Sequence, residues 1–275
     1  DYTARAKWNP IFDGNINNEE ANTRSCFANY GKDGEKVIHY GPKAKLPRIT
    51  AADIMLANAN GANSAGGMDH WMPEEFHLLG PIACDKLADM LGMIEDGAPW
   101  SDNLQHANAA FLSKDAMTTT DPLAYRILMI LPVLYRKWAT IRLRHVKPWI
   151  STWQCEEMFA GIPGWGAQDA WMDTALFLEE QMLLKQPVSL GAIDIFKCFD
   201  QINRDLVEQL AIKAGMPRGI LSAYVRFQEH MQVHNCVAGG VGNGFLGRTG
   251  IPQGFVPLPG GIVLPVFPSV EWFDA

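Results

Sequence analysis

An α+β fold is predicted for this chain. Apolar residues recur at helical spacing through most of the longer segments, and a few short apolar runs bounded by turn residues stand apart from them as strands. A composition of 48% hydrophobic and 19% charged residues over 275 positions supplies a sizeable core, in one large domain or two small ones.

Each element follows from local pattern. Residues 1 to 48 mix Trp8, Pro10, Gly14, several asparagines and a Lys-Pro stretch without sustained periodicity, which predicts a connector wrapped over a domain. Thr50-Ala-Ala-Asp53 opens a short capped helix, and the Asn-, Gly- and Ser-rich residues 58 to 67 form a loop. Phe76, Leu79, Ile82, Leu87 and Leu91 repeat at helical spacing, broken near Gly80-Pro81, so two helices are expected between Pro73 and Asp96. Ala107 to Leu112 is a candidate strand, and Pro122 to Val146 reads as one long apolar helix with a basic face. A Gly-Pro-Gly-Trp-Gly loop around 161 to 166 precedes an amphipathic helix from Gln168 to Leu184. Val188 to Phe196 suits a buried strand. Leu206, Val207, Leu210, Ala211 and Ala214 mark a helix stopped at Gly215-Met-Pro217, followed by a helix over about 218 to 229 and a strand near Met231 to Val237.

Composition narrows the function classes. The longest apolar runs, Ile127 to Leu134 and Gly260 to Val266, fall far short of the roughly 20 residues of a membrane span, so no membrane partner is expected. Asp1-Tyr-Thr-Ala-Arg carries neither an initiator methionine nor a signal pattern, and suggests a chain cut from something longer. Five widely spaced cysteines form no metal-binding or disulfide framework; they read as free thiols in a reducing, intracellular compartment. The net charge of -7 argues mildly against nucleic-acid binding. Yet Pro122 to Cys155 holds no acid, while Arg126, Arg136, Lys137, Arg142, Arg144 and Lys147 all fall there, so a local basic surface is expected.

Three features carry candidate chemistry. Asp194, on the apolar run Ala192-Ile-Asp-Ile-Phe196, would bear a large desolvation cost if buried alone, and a divalent cation such as Mg²⁺ would offset it. A strand-end aspartate that caps the next helix or meets a lysine is the plainer alternative. Phe199, five residues on, is either a core aromatic or a ring set against the sugar of a nucleotide, able to exclude a 2'-hydroxyl by clash. Gly250-Ile-Pro-Gln-Gly254 supplies a rigid turn with an amide side chain and unhindered backbone, suited to close approach by a nucleotide or template base.

Together these residues resemble a known family. Ala192-Ile-Asp-Ile-Phe-Lys-Cys-Phe-Asp-Gln-Ile202 resembles motif A of reverse transcriptases, in the form found in non-LTR retrotransposons and group II intron proteins. Gly250-Ile-Pro-Gln-Gly254 with Pro257-Leu258 resembles motif B, at the fitting separation. Upstream and in order, Leu112-Ser-Lys114 with Asp121-Pro-Leu-Ala-Tyr-Arg126 is similar to a fingers segment of that family. Phe159 to Ala170 is similar to its Gly-Phe-x-Pro-Gly-Arg segment, and residues 61 to 75 to its Gly-Pro-Asp-Gly segment. The resemblance covers roughly residues 50 to 258.

It implies right-hand polymerase fingers and a partial palm: an N-terminal connector (1–48), helix-rich fingers (49–186), and a palm with an incomplete antiparallel sheet (187–275). Asp194 would be the first metal-binding aspartate, with the Ile195 carbonyl on the same Mg²⁺. Phe199 would gate the sugar, Gln253 and Gly254 would line the nucleotide and template pocket, and Arg126 with Lys114 would contact the triphosphate. RNA template, DNA primer and deoxynucleoside triphosphates would be the partners, with no oligomeric state implied. Departures are Ile127 where the family usually has proline, Trp165 where it has arginine, and Pro259 with two glycines where the motif B helix should begin. The aromatic-x-Asp-Asp hairpin expected beyond motif B is not found before Ala275, so the chain is expected to be inactive alone in nucleotidyl transfer. A degenerate remnant that binds RNA or a partner through the 126 to 147 surface is the alternative.

Overall fold

The computed structural model describes residues 6–8, 10–11, 19–30, 41–59, 64–113, 121–152, 159, 164–192, 197–237 and 239–251. Helices and a small mixed sheet make up an α+β architecture. The helices are α1 (Glu19–Tyr30), α2 (Ala51–Asn58), α3 (Pro81–Glu95), α4 (Val133–Ile150), α5 (Ala167–Leu184), α6 (Cys198–Gln201), α7 (Arg204–Ala214) and α8 (Arg218–His230). The strands are β1 (His106–Ser113), β2 (Tyr125–Ile130), β3 (Gln232–Val237), β4 (Gly240–Val241) and β5 (Phe245–Leu246). Among the described residues no helix is long and apolar enough to cross a membrane.

Local chemistry sets most boundaries. Thr50 and Asp53 cap α2 reciprocally: Asp53 N–H donates to Thr50 Oγ1 at 3.3 Å, and Thr50 N–H to Asp53 Oδ2 at 3.0 Å. The apolar repeat from Pro73 divides at Gly80 into a 3₁₀ turn (Pro73–Leu78) and α3, which takes Pro81 at its first position, where a missing N–H costs nothing. α7 ends where Gly215 turns left-handed at φ 91°.

The stretch expected as one helix from Pro122 to Val146 is divided. Pro122–Ala124 is a 3₁₀ turn, Tyr125–Ile130 is β2, and the helix begins only at Val133. Pro132 explains the break: it disfavours the helical conformation at Leu131, so the apolar run before it pairs with β1. Val188 to Gly191, expected to open a strand, is irregular and exposed, and 193–196 lie outside the described residues.

The sheet runs β2-β1-β3-β4, with β5 also paired to β3. β1 and β2 are antiparallel, from Asn108 opposite Ile130 to Ser113 opposite Tyr125. β1 and β3 are parallel, Ala107 facing Val233, so the sheet is mixed where an antiparallel one was expected. More than a hundred residues separate these two strands, and the intervening helices provide the crossover that parallel pairing requires. Strand alternation puts Ala107, Ala109, Ile127 and Val233 on the buried face, and His106, Asn108, Arg126, His234 and Cys236 on the other.

One core runs from Trp8 through Ile54, Leu91, Trp138 and Phe227 to Val233. At its centre Trp100 meets Tyr135, Trp138 and Phe227 edge-on at 5.3, 5.4 and 5.6 Å, a geometry worth about 0.5–1.5 kcal/mol per pair beyond the area buried. The indole of Trp100 donates to Ala223 O at 2.8 Å and that of Trp138 to Glu95 Oε1 at 2.8 Å, so both rings are buried with their polar edges satisfied. The N-terminal part lies across this core. Trp8 is 1% exposed and donates to Pro122 O, α1 packs on α7, and Gly41 and Ala44 bond to Lys213 and Gly215.

Candidate functional site

The segments that resemble motifs A and B meet through their backbones. Ile251 N–H donates to Phe199 O at 2.7 Å and Gly250 N–H to Ile202 O at 2.9 Å, while Thr249 Oγ1 lies 3.3 Å from Asp200 O. Gly250 makes the approach possible. Its φ is 81°, and a Cβ there would stand 2.7 Å from Asp200 O and 2.9 Å from Asp200 Cα.

Arg204 locks the junction. Its Nε donates to Gly250 O at 2.7 Å, Nη1 to Gly247 O at 2.8 Å and to Gln228 O at 3.1 Å, and Nη2 to Thr249 O at 3.2 Å. Burial draws the guanidinium pKa down, but the ring of carbonyl dipoles favours the charged form that the side chain keeps at any ordinary pH. Phe199, held at this junction by its carbonyl, leaves its side chain 42% exposed and is not part of the core. The aromatic therefore stands at the surface, where a ligand can reach it.

β2 is tied to the same junction. Lys197, left-handed at φ 50°, donates Nζ to Tyr125 O at 2.7 Å and sits 4.3 Å above the Trp8 ring. The next residue on that strand is Arg126, which is exposed and has no hydrogen bond or ion pair among the described residues. Ile127, in the place where proline was expected, is 1% exposed and pairs with Phe111, so it keeps β2 in the ladder and turns Arg126 to the opposite face. Ser113 pairs with Tyr125, and Lys114 follows Ser113 directly in sequence.

The expected basic surface of α4 is largely directed inward. Arg142 is 2% exposed; its Nε donates to Glu95 Oε1 at 2.6 Å, its Nη2 to Glu95 Oε2, and its Nη1 to Pro47 O at 2.8 Å. Lys137 is buried on Ala57 O, Arg136 bonds Ser64 and Ala65, and Arg144 and His145 share Asp53. Of the six cations between Pro122 and Cys155, Arg126 and Lys147 are exposed without such partners among the described residues. Acid-free sequence indicates unopposed charge only if the acids of other elements stay away, and Asp53 and Glu95 do not.

Among the predicted site residues, the structure brings Arg126 and Phe199 onto elements joined by Lys197. Lys114, Asp194, Ile195, Gln253 and Gly254 lie outside the described residues. For Mg²⁺, the described residues contain no group of three or more His, Cys, Asp or Glu side chains able to hold a metal. Asp200 is 5% exposed, with its carbonyl taken by Thr249. A metal centre is therefore not built from the described residues, and no step is derived through one.

Sequence reasoning missed Arg204 and Lys197. Arg204 had a signal, because a cation in the first turn of a helix opposes the dipole and implies some other task. Lys197 had none, since its left-handed backbone is set by the tertiary junction. Compared with known proteins, the chain matches no family model and no curated protein sequence.

Proposed function

We propose that the chain carries the nucleotide-binding part of an RNA-directed DNA polymerase site of the reverse-transcriptase type, served by RNA template, DNA primer and deoxynucleoside triphosphate with Mg²⁺. The supporting observation is the backbone junction in which Gly250 and Ile251 bond to Ile202 and Phe199, joining two segments some 50 residues apart. Chance likenesses to motifs A and B would have no reason to share a turn. The exposed Phe199 ring and the Arg126 guanidinium, which has no partner among the described residues, add a surface for a sugar and a cation for phosphates. Asp194 would contribute one carboxylate to a two-metal clamp that needs more than one, so nucleotide binding is the informative assay.

Titration of the protein with dATP and ATP in the presence of Mg²⁺, followed by calorimetry, tests the proposal. The protein should prefer dATP. Arg126→Ala should weaken both nucleotides tenfold or more, from the loss of charge-assisted bonds worth about 1.5–3 kcal/mol. Phe199→Val should narrow the preference for the deoxy sugar while leaving dATP affinity within about threefold. Absence of nucleotide binding, or affinities indifferent to both substitutions, would refute it. Salt-dependent RNA binding in a protein that ignores nucleotides would favour the non-catalytic binding module instead.

A further inference from the structure

A cavity of about 410 Å³ opens between α1, α7, α8 and the turn after β5. That volume suits a small organic ligand. Its floor is apolar and aromatic: Val207, Leu221 and Tyr224 are nearly inaccessible, at 4%, 2% and 5% exposure, and Ile251 closes one side. Among the described residues its rim carries four carboxylates, Glu19, Asp205, Glu208 and Glu229, against one exposed cation, Arg248. Arg204 also reaches the wall, but its donors are turned to backbone carbonyls.

A second, independent feature is Gln228. It lines the cavity, is 1% exposed, and its Nε2 and Oε1 are enclosed without a hydrogen bond of normal length and angle among the described residues. The Tyr135 hydroxyl is its neighbour and can engage one end of the amide. Both amide atoms lack accessible surface, so the side chain closes the inner wall and its polar end does not face into the cavity.

We propose that this cavity binds an organic cation with an apolar body, an alkyl or aryl ammonium or amidinium. The apolar part lies on Leu221 and the Tyr224 ring, whose face attracts a cation. The charged end meets the carboxylate rim. The acidic rim is under electrostatic load. Burial, and then the neighbouring acids, hold the Glu208 carboxyl above the usual range, and burial followed by Asp205 does the same to Glu19 against the pull of Arg204. Burial pushes Tyr224 up to about 12, so it offers a neutral phenol. The proposal does not rest on nucleotide binding: neither Phe199 nor Arg126 is among the described residues that line the cavity, although Arg204 and Ile251 belong to both the junction and its wall.

Three probes share one indole body and differ in charge: tryptamine, tryptophol and indole-3-propionate. Calorimetric titration into the whole chain at neutral pH should give tryptamine at least tenfold tighter binding than tryptophol, with the propionate weakest. A Glu208→Gln, Glu229→Gln double variant should lose tenfold or more in tryptamine affinity and keep its tryptophol affinity. Gln228→Leu should leave the order of the three probes unchanged, because the amide is enclosed behind the cavity wall. Equal binding of all three probes, preference for the carboxylate, binding of none, or tryptamine affinity unchanged in the double variant would each overturn the proposal.

Discussion

Replacing Gly250 by alanine should separate the two segments that meet at the candidate site, and a second glycine makes the cost measurable. Gly250 and Gly239 have almost the same backbone conformation, with φ 81° and 82°. A Cβ on Gly239 would meet nothing within 4 Å among the described residues, whereas on Gly250 it would stand 2.7 Å from Asp200 O and 2.8 Å from its carbonyl carbon. Both substitutions bear the left-handed penalty of about 1–2 kcal/mol, reduced by about 0.4–1 kcal/mol because alanine restricts the unfolded chain. Only Gly250→Ala adds a clash with backbone, which cannot rotate away as a side-chain tip can; overpacking of this kind costs about 1–3 kcal/mol. The expected losses are therefore about 0.5–1 kcal/mol for Gly239→Ala and about 1.5–4 kcal/mol for Gly250→Ala. In urea, with an m-value of about 3 kcal/mol/M, the two midpoints should differ by roughly 0.3–1 M. Amide exchange should also quicken at Gly250 and Ile251, which donate to Ile202 and Phe199. Equal midpoints for the two variants would refute the close approach at Asp200 and the junction with it.

Glu95→Ala should destabilise the fold by about 3–5 kcal/mol in denaturant unfolding, because it strands the Arg142 guanidinium, 3% exposed, without its carboxylate. Arg204→Ala should lower the urea midpoint by the equivalent of about 3 kcal/mol or more, since carbonyls of Gly247, Thr249 and Gly250 lose their donor together. Arg126→Ala should leave the midpoint within about 0.5 kcal/mol of the parent, as expected for an exposed side chain without partners among the described residues. Glu208→Gln should stabilise the protein at neutral pH. The Glu208 carboxyl titrates above its usual range, so the folded state holds that proton more tightly than the unfolded state does, and the resulting stability is present below the usual glutamate range and lost as pH rises through the raised value. Thermal midpoints of parent and variant should converge near pH 4 and diverge toward pH 7.

What sequence disclosed and what it concealed divide along one physical line. Signals confined to neighbouring residues were legible: the Thr50 and Asp53 cap, Pro81 at a helix start, and the Gly215 stop all depend on a few residues of chain. Ile127 to Ile130 was misread as helix because a short apolar run satisfies either period, and pairing with β1 decided it. The acid-free stretch after Pro122 was misread as a surface because the partners of its cations, Asp53 and Glu95, lie 40 to 90 residues upstream. The candidate site shows the same division. Order and spacing suggested that the segments around Phe199 and Gly250 act together, but the bonds that join them, and Arg204 that holds them, are tertiary facts. Gly250 belongs to both kinds of evidence. As a letter in Gly-Ile-Pro-Gln-Gly it is one of 25 glycines, and only its distance from Asp200 explains why a side chain cannot stand there. If the junction serves a nucleotide, the constraint on Gly250 is indirect: it sets the position of Phe199, so Gly250→Ala should lower nucleotide affinity through geometry even where the folded population is saturating. Nucleotide titrations of Gly250→Ala and Gly239→Ala, each corrected for its folded fraction, separate the two effects. Loss of affinity in the first and parent-like affinity in the second is expected, and equal affinities would detach the junction from nucleotide binding.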